Sequence, residues 1–340
     1  MTSGTTTTER SDGPTDPSAG SSSGSGGGGQ ASPADSSNTT PTGTAAPAAH
    51  DMTTSRLAEE PRQPQTLKLA DFPDKQHLAG HGNWLYKIDV DGEPRVLKIY
   101  FGNRNPLLHW KKSFGNLFLT GRTTHLPKGR CKVEIECVNL WEKHGFPCFK
   151  MYPEVTFSDV PEDGYMLFEY TPGIHFRSYF GDESVSFEER MATWKTWLPI
   201  WHRRHKTAVE LGEPRLIHEN GDMKHVMLWK GQFVNFDFEI VFRSKDVRDL
   251  VGREMLAYMR SIGKAFGDEL YDVMMDMIIE HYPDKSLLME AYDHAIRNHN
   301  PVMRFFRRLD RMFRTANKKQ YSKYNVAFDL KRRLDAAALN

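Results

Sequence analysis

The chain has 340 residues, 45 Lys and Arg against 44 Asp and Glu for a formal net charge of +1, and 39% hydrophobic residues. No run of 18 or more apolar residues occurs, which excludes a membrane-spanning helix. Cys131, Cys137 and Cys148 are odd in number and lack CxxC spacing, so they read as reduced thiols rather than as a disulfide frame or a zinc site.

Residues 1–66 are dominated by Thr, Ser, Gly, Pro and Ala. Such a segment offers too little apolar surface to offset the entropy of ordering and is expected to be disordered. It has no apolar h-region and little Arg, which argues against a secretion or transit signal and for a cytoplasmic protein. The remainder is long enough for one large domain or two packed lobes. No internal repeat is visible.

Residues 67–100 contain strand-like runs: LKLADF, NWLYKIDV and RVLKIY. The Asp91-Gly92 turn joins the last two as a hairpin. Before it, Gly80-His81-Gly82 is either a flexible turn or a place where backbone N–H groups approach a phosphate. In Val96-Leu97-Lys98-Ile99, Leu97 and Ile99 share one face and Val96 and Lys98 the other. Taken alone, Lys98 reads as a solvated lysine on an edge strand. Residues 101–130 are basic and aromatic, with Arg104, His109, Lys111, Lys112, Arg122, Lys128 and Arg130. They form a solvated loop or a docking surface for an anionic substrate.

KVEIECVNLWEKHGF has helical spacing through Val133, Cys137 and Leu140 and a stop at Gly145. Either Glu134 or Glu136 can point back toward Lys98, and counting from Gly145 favours Glu134. YMLFEYTPG is a buried strand running into a connector at Glu169–Gly173. A long helical stretch follows, in which His202 and His205 stand three apart without a nearby carboxylate or Cys, so a core or surface role outweighs zinc. The segment LIHENGDMKHVMLWKGQFVNFDFEIVF reads as a polar loop, a strand, a Lys230-Gly231 turn and a second strand stopping at Asp237. Further helices run from Val247 to Ala295, with Met255, Leu256, Met259 and Ile262 as a core stripe.

These motifs, in this order over roughly residues 70–270, resemble the bacterial lipopolysaccharide (heptose/Kdo) kinase branch of the protein-kinase-like superfamily. The resemblance implies an α+β, two-lobed fold: a small antiparallel β N-lobe over 67–170 and a mainly helical C-lobe over 171–325, with 326–340 as a C-terminal tail. It implies ATP and Mg2+ as cofactors. Lys98 would bind the α- and β-phosphates, with Glu134 as its partner. Gly80 and Gly82 would cover the phosphates, and Glu169 and Tyr170 would hold the adenine. Asp237 would carry magnesium, with His225 in the position of the second metal ligand.

The catalytic loop departs from the family pattern. An ungapped register puts His218 in the histidine place and Asn220 where the base aspartate belongs, and Asn220 cannot accept a proton. A second register gives the base role to Asp222, which otherwise caps a turn. Glu239 follows Phe238 where many protein kinases carry Gly, which removes a flexible pivot. The expected function is transfer of the ATP γ-phosphate to a sugar hydroxyl of an anionic glycolipid or a related small acceptor. A nucleotide-binding pseudokinase and a protein Ser/Thr kinase are the alternatives. Finally, residues 301–324 carry eight Lys or Arg against Asp310. Within them, Arg304–Arg314 form a basic amphipathic pattern suited either to the last helix of the C-lobe or to peripheral contact with the inner membrane face. No recognised nucleic-acid motif accompanies it.

Overall fold

The structure is a computed structural model that describes residues 63–79, 83–100, 121–123, 126–161, 164–297 and 320–339. All of them lie in one compact unit, Pro61–Asn340. Residues 1–62, the Gly80–Gly82 turn, most of the 101–130 insertion and Arg304–Arg314 lie outside the described residues.

The amino-terminal half is built on an antiparallel sheet of β2 (Gln76–Ala79), β3 (Trp84–Val90), β4 (Glu93–Ile99) and β6 (Tyr165–Glu169), in the order β2-β3-β4-β6. Asp91 and Gly92 both have positive φ, 57° and 79°, the geometry of a two-residue hairpin turn. Asp89 Oδ1 accepts a 2.8 Å hydrogen bond from Gly92 N and closes it. Alternation along β4 then separates two apolar surfaces. Leu97 and Ile99 pack with Ile88, Val90 and Leu167, while Val96 packs with Tyr100, Met166 and Phe168. Lys98 follows Val96 onto the second surface and is buried.

A short strand, β1 (Gln65–Leu67), pairs in parallel with β5 (Val155–Phe157). Gln65 and Thr66, expected within the disordered leader, belong to this strand. Leu69–Asp71, expected as strand, forms a single 3-10 turn. Asp159 explains it, because its two carboxylate oxygens accept from the N–H groups of Leu69 and Ala70. Helix α1 (Pro127–Lys143) starts on a proline at its first turn and ends before Gly145, whose φ is 71°. Arg130, Cys131, Glu134, Cys137, Val138 and Trp141 lie on its buried face.

The carboxy-terminal half is mainly helical. After the strand pair β7 (Ile174–His175) and helix α2 (Phe176–Phe180) comes α3 (Phe187–Leu211), capped by Ser186 Oγ and stopped by Gly212 at φ 63°. Trp194, Trp197 and Trp201 stack along it at 4.8 and 4.7 Å, and each such contact adds about 1 kcal/mol beyond its area. A second hairpin, β8 (Val226–Trp229) and β9 (Gln232–Asn235), turns at Lys230 and Gly231, both with positive φ. β7 adds to its edge, and Gly173 allows this close approach, since a Cβ there would lie 2.6 Å from Leu228 O and from Met227.

The core stripe Met255, Leu256, Met259 and Ile262 is buried in α4 (Val247–His281), a helix broken at Gly267. Helices α5 (Lys285–Ile296) and α6 (Lys323–Ala337) pack against it. Residues 326–337 are thus not a tail. Val326, Ala327, Leu330 and Leu334 are buried, and the Tyr321 ring lies where a side chain on Gly263 would be. No described helix is long and apolar enough to cross a membrane.

Candidate active site

Lys98 is fixed by strand register, opposite Leu85 on β3 and Met166 on β6. Its Nζ lies 2.6 Å from Glu134 Oε2, 2.8 Å from Glu239 Oε1 and 3.8 Å from Asp237 Oδ1. Burial opposes its charge, but the three carboxylates outweigh burial and hold the lysine pKa above its ordinary value. Glu134 also accepts from the Tyr100 hydroxyl. Burial, reinforced by Glu239 and Asp237, pushes Glu134 up despite Lys98.

Asp237 sits two residues past the end of β9. Its φ of 71° is a conformation that costs a non-glycine residue energy and persists only where the surroundings impose it. The surroundings are specific. His218 Nε2 donates to the carbonyl of Phe236 at 2.9 Å. Phe238 is buried against Trp141, at 4.5 Å, and against His218, at 5.2 Å. Although burial works against the anion, Lys98 followed by His225 holds the Asp237 pKa below the usual range. His225 Nδ1 meets the backbone carbonyl of Asn220 at 2.7 Å and therefore donates its proton there, which turns Nε2 toward Asp237 Oδ2 at 3.4 Å. Burial lowers the His218 pKa to about 4, so that ring is neutral near pH 7.

Two cavities share Leu85, Lys98, His175, Phe236 and Asp237 in their linings. The first, about 230 Å³, is walled by Leu85, Val96, Met166, Phe168, Met227 and Phe236, with Lys98, Glu134, Asp237, Glu169, Tyr170 and Thr171 also in its lining. Thr171 Oγ1 is buried there without a hydrogen-bond partner. Glu169 N donates to Lys150 O and Tyr170 N to Pro94 O, at 2.9 and 3.4 Å. The second cavity, about 560 Å³, carries Lys98, Arg130, Arg177, Lys224, His175 and His225 against Asp237 and Glu239.

Lys98, Glu134, Glu169, Tyr170, Asp237 and His225, all expected from sequence, are thus gathered around these cavities. His218, Asn220 and Asp222 line neither. His218 is buried behind Phe236. Asp222 Oδ1 accepts from Lys224 N at 3.0 Å, the contact of a turn cap. Gly80 and Gly82 lie outside the described residues. Arg130, expected in a solvated or docking loop, is instead buried on α1, where Nη1 lies 2.7 Å from Glu239 Oε2. Its signal was spacing: Arg130 stands one helical turn before Glu134.

Sequence reading also missed what holds the loop. Glu254 on α4 accepts from the Arg204 guanidinium, from Trp201 Nε1 at 3.2 Å and from His218 N at 2.7 Å. Gly221 packs so closely on this helix that a Cβ would lie 2.9 Å from Glu254 and 3.0 Å from Tyr258. Downstream, the segment after Glu239 is pinned. Thr123 N donates to Val241 O and Arg243 N to Gly121 O, at 3.0 and 2.7 Å, and Arg122 reaches Glu219 at 2.5 Å.

A strand lysine paired with a helix glutamate, facing an aspartate just beyond a second hairpin, is the arrangement of the protein-kinase-like fold. The chain's own fold is α+β, with antiparallel sheet in its amino-terminal half and mainly helices in its carboxy-terminal half. No family model matches the sequence, and no curated protein matches it. Solved structures similar to it include WaaP in complex with acyl carrier protein, at 12% identity and a TM-score of 0.35, covering 78% of this chain and 90% of that one. An apo pseudokinase matches at 13% and 0.38, over 83% of this chain and 98% of that one. The spectinomycin phosphotransferase APH(9)-Ia, bound to ADP and spectinomycin, matches at 10% and 0.36, over 76% and 93%. At these scores the likeness extends to no individual residue of the site.

Proposed function

We propose that this chain is a kinase-like phosphotransferase that moves the γ-phosphate of ATP to a hydroxyl of an anionic small acceptor, a glycolipid sugar being the favoured class. The observation that carries this reading is the Lys98–Glu134 pair with Asp237 3.8 Å from the same ammonium, in the lining of a cavity with apolar walls. The apolar walls suit a purine, and the buried, unpartnered Thr171 hydroxyl gives its edge a polar contact. Lys98 neutralises phosphate charge in the same cavity.

The donor set suits magnesium. Among the described residues no group of three or more His, Cys, Asp or Glu stands close enough to hold a metal ion. Magnesium in phosphotransferases takes one or two protein ligands and completes its shell with water and phosphate. Asp237 would supply the hard oxygen, and His225 Nε2, turned toward it, would contact the shell. The bound ion would neutralise charge developing between the β- and γ-phosphates.

The chain's residues then act by placement. Neutral His218 holds the Phe236 carbonyl, and thereby the Asp237 backbone, in its strained geometry. Arg177 and Lys224 give the second cavity the charge to receive an anionic acceptor. Because phosphoryl transfer passes through a loose transition state, charge stabilisation outweighs a general base. Asp222 is assigned the turn-capping role that its contact with Lys224 N describes. The same placement favours one second reading, a pseudokinase that binds nucleotide without transfer, since neither Asn220 nor Asp222 lines a cavity. Magnesium-dependent ATP turnover with crude lipid and protein extracts as acceptors separates the readings. Label in lipid supports the proposal, and label in protein supports a protein kinase. Nucleotide binding without turnover supports the pseudokinase.

A further inference from the structure

Three donors converge on one carboxylate in the second cavity. Asn83 Nδ2 donates to Glu239 Oε1, Lys98 Nζ lies 2.8 Å from that same oxygen, and Arg130 Nη1 lies 2.7 Å from Oε2. Both cations are 8% exposed, far more buried than lysine or arginine usually are. Two buried cations need anions, but Glu134 already serves Lys98 at 2.6 Å and is itself held by Tyr100. Glu239 is thus held in place by two buried cations and an amide, although Lys98 already has a carboxylate partner in Glu134.

We propose that Lys98 and Arg130 form a two-cation clamp for the phosphates of a nucleotide, with Glu239 as the clamp's resident counter-anion, displaced as the phosphates enter. The proposal rests on the kinase-like reading of the same site and assigns it a phosphate ligand that the strand lysine alone does not supply. Lys98 and Arg130 already reach two different oxygens of one planar anion, and a guanidinium suits phosphate oxygens as well as carboxylate ones. Helix α1 places Arg130 one turn before Glu134, so one face of one helix provides both the partner that aims Lys98 and the second cation. Phosphate oxygens that take these positions on Lys98 Nζ and Arg130 Nη1 replace the Glu239 oxygens that fill them now. Nucleotide binding and the Glu239 contacts therefore compete.

The test is calorimetric titration of the full chain, wild type beside Glu239→Gln and Arg130→Met, with three probes: adenosine, ATP with magnesium, and metal-free inorganic tripolyphosphate. Glu239→Gln keeps the shape and removes the charge. It should tighten tripolyphosphate and ATP by about tenfold, and Arg130→Met should weaken both by about tenfold, the scale of a charge-assisted contact. Adenosine affinity should not change in either variant. Weaker ATP–magnesium binding by Glu239→Gln would make Glu239 a metal ligand and overturn the proposal, as would tripolyphosphate binding indifferent to Arg130. Should Arg130→Met fail to fold, the Glu239→Gln arm decides alone. Adenosine binding without these phosphate effects would sink the clamp and leave the kinase-like reading standing. The phosphate effects without adenosine binding would establish the clamp and sink the nucleotide reading.

Discussion

Two buried charge clusters among the described residues differ in one respect. Around Lys98, Glu134, Glu239 and Arg130 stand beside Asp237 and open onto cavities. Around Glu254, a single carboxylate is enclosed by Arg204, Trp201, His205 and the His218 N–H, with side chains 4% exposed or less at Arg204, Glu254 and His205. Burial opposes the charge on Glu254, yet Arg204 and His205 hold its pKa well below the ordinary range. The closed cluster ties α3 to α4 and to the polar loop. The open cluster lines two cavities. Burial of charge alone therefore does not mark a site, whereas buried charge that lines an opening does.

This contrast breaks most sharply under mutation. Asp237→Ala should lower magnesium-dependent turnover by about a thousandfold or more, the scale of losing an electrostatic contact to the reacting phosphate. Its melting temperature should change little, since Asp237 is 34% exposed and Lys98 keeps Glu134 and Glu239 as partners. Turnover that survived would remove the site as drawn. Arg204→Met should do the reverse and cost about 3–5 kcal/mol of stability by leaving Glu254 buried and unpaired. In a unit of this size that lowers the melting temperature by roughly 6–20 °C. A melt close to wild type would mean that the closed cluster carries no structural weight.

Acid should reach the closed side by a predictable route. Burial lowers both His205 and His218 to about 4, against about 6.5 in an unfolded chain. Between these values the unfolded state binds more protons than the folded one, so stability falls as pH drops from about 6.5 to about 4. Each histidine accounts for roughly 2–3 kcal/mol over that window. Thermal melts across it should show the decline, and His205→Gln should remove about half of it. A flat profile in the wild type would mean that these rings stay solvated.

How much of this was legible follows from what kind of contact each part uses. The β3–β4 hairpin, the faces of β4 and the second hairpin ending near Asp237 depend on spacing and turn residues, so Asp91-Gly92, Lys230-Gly231 and the alternation around Lys98 reveal them locally. Glu134 was legible because a helix stop at Gly145 fixed its phase. Arg130 had the same phase, but its place in a basic run disguised it. The Arg204–Glu254 contact joins residues 50 apart on two helices and leaves no periodic trace. The same holds for β1 against β5, paired across 90 residues, and for α6, whose burial depends on docking against α4 and α5.

The smallest expected effect concerns the polar loop, which belongs to neither cluster and touches both. Asp222 caps the turn at Met223–His225 through Lys224 N, while Asn220 is exposed and lends its carbonyl to His225. A cap is worth about 1 kcal/mol, and asparagine caps about as well as aspartate. Asp222→Ala should therefore destabilise the protein by about 1 kcal/mol, while Asp222→Asn should leave the melt unchanged. That pair isolates chemistry from structure, since only the carboxylate's charge and basicity differ between Asp222 and Asn. If positioning carries the transfer, Asp222→Asn keeps turnover within about tenfold of wild type, short of the hundredfold or more that losing a general base costs. A loss of that larger size, with an unchanged melt, would return the base role to Asp222 and show that the loop moves toward the second cavity when the acceptor binds.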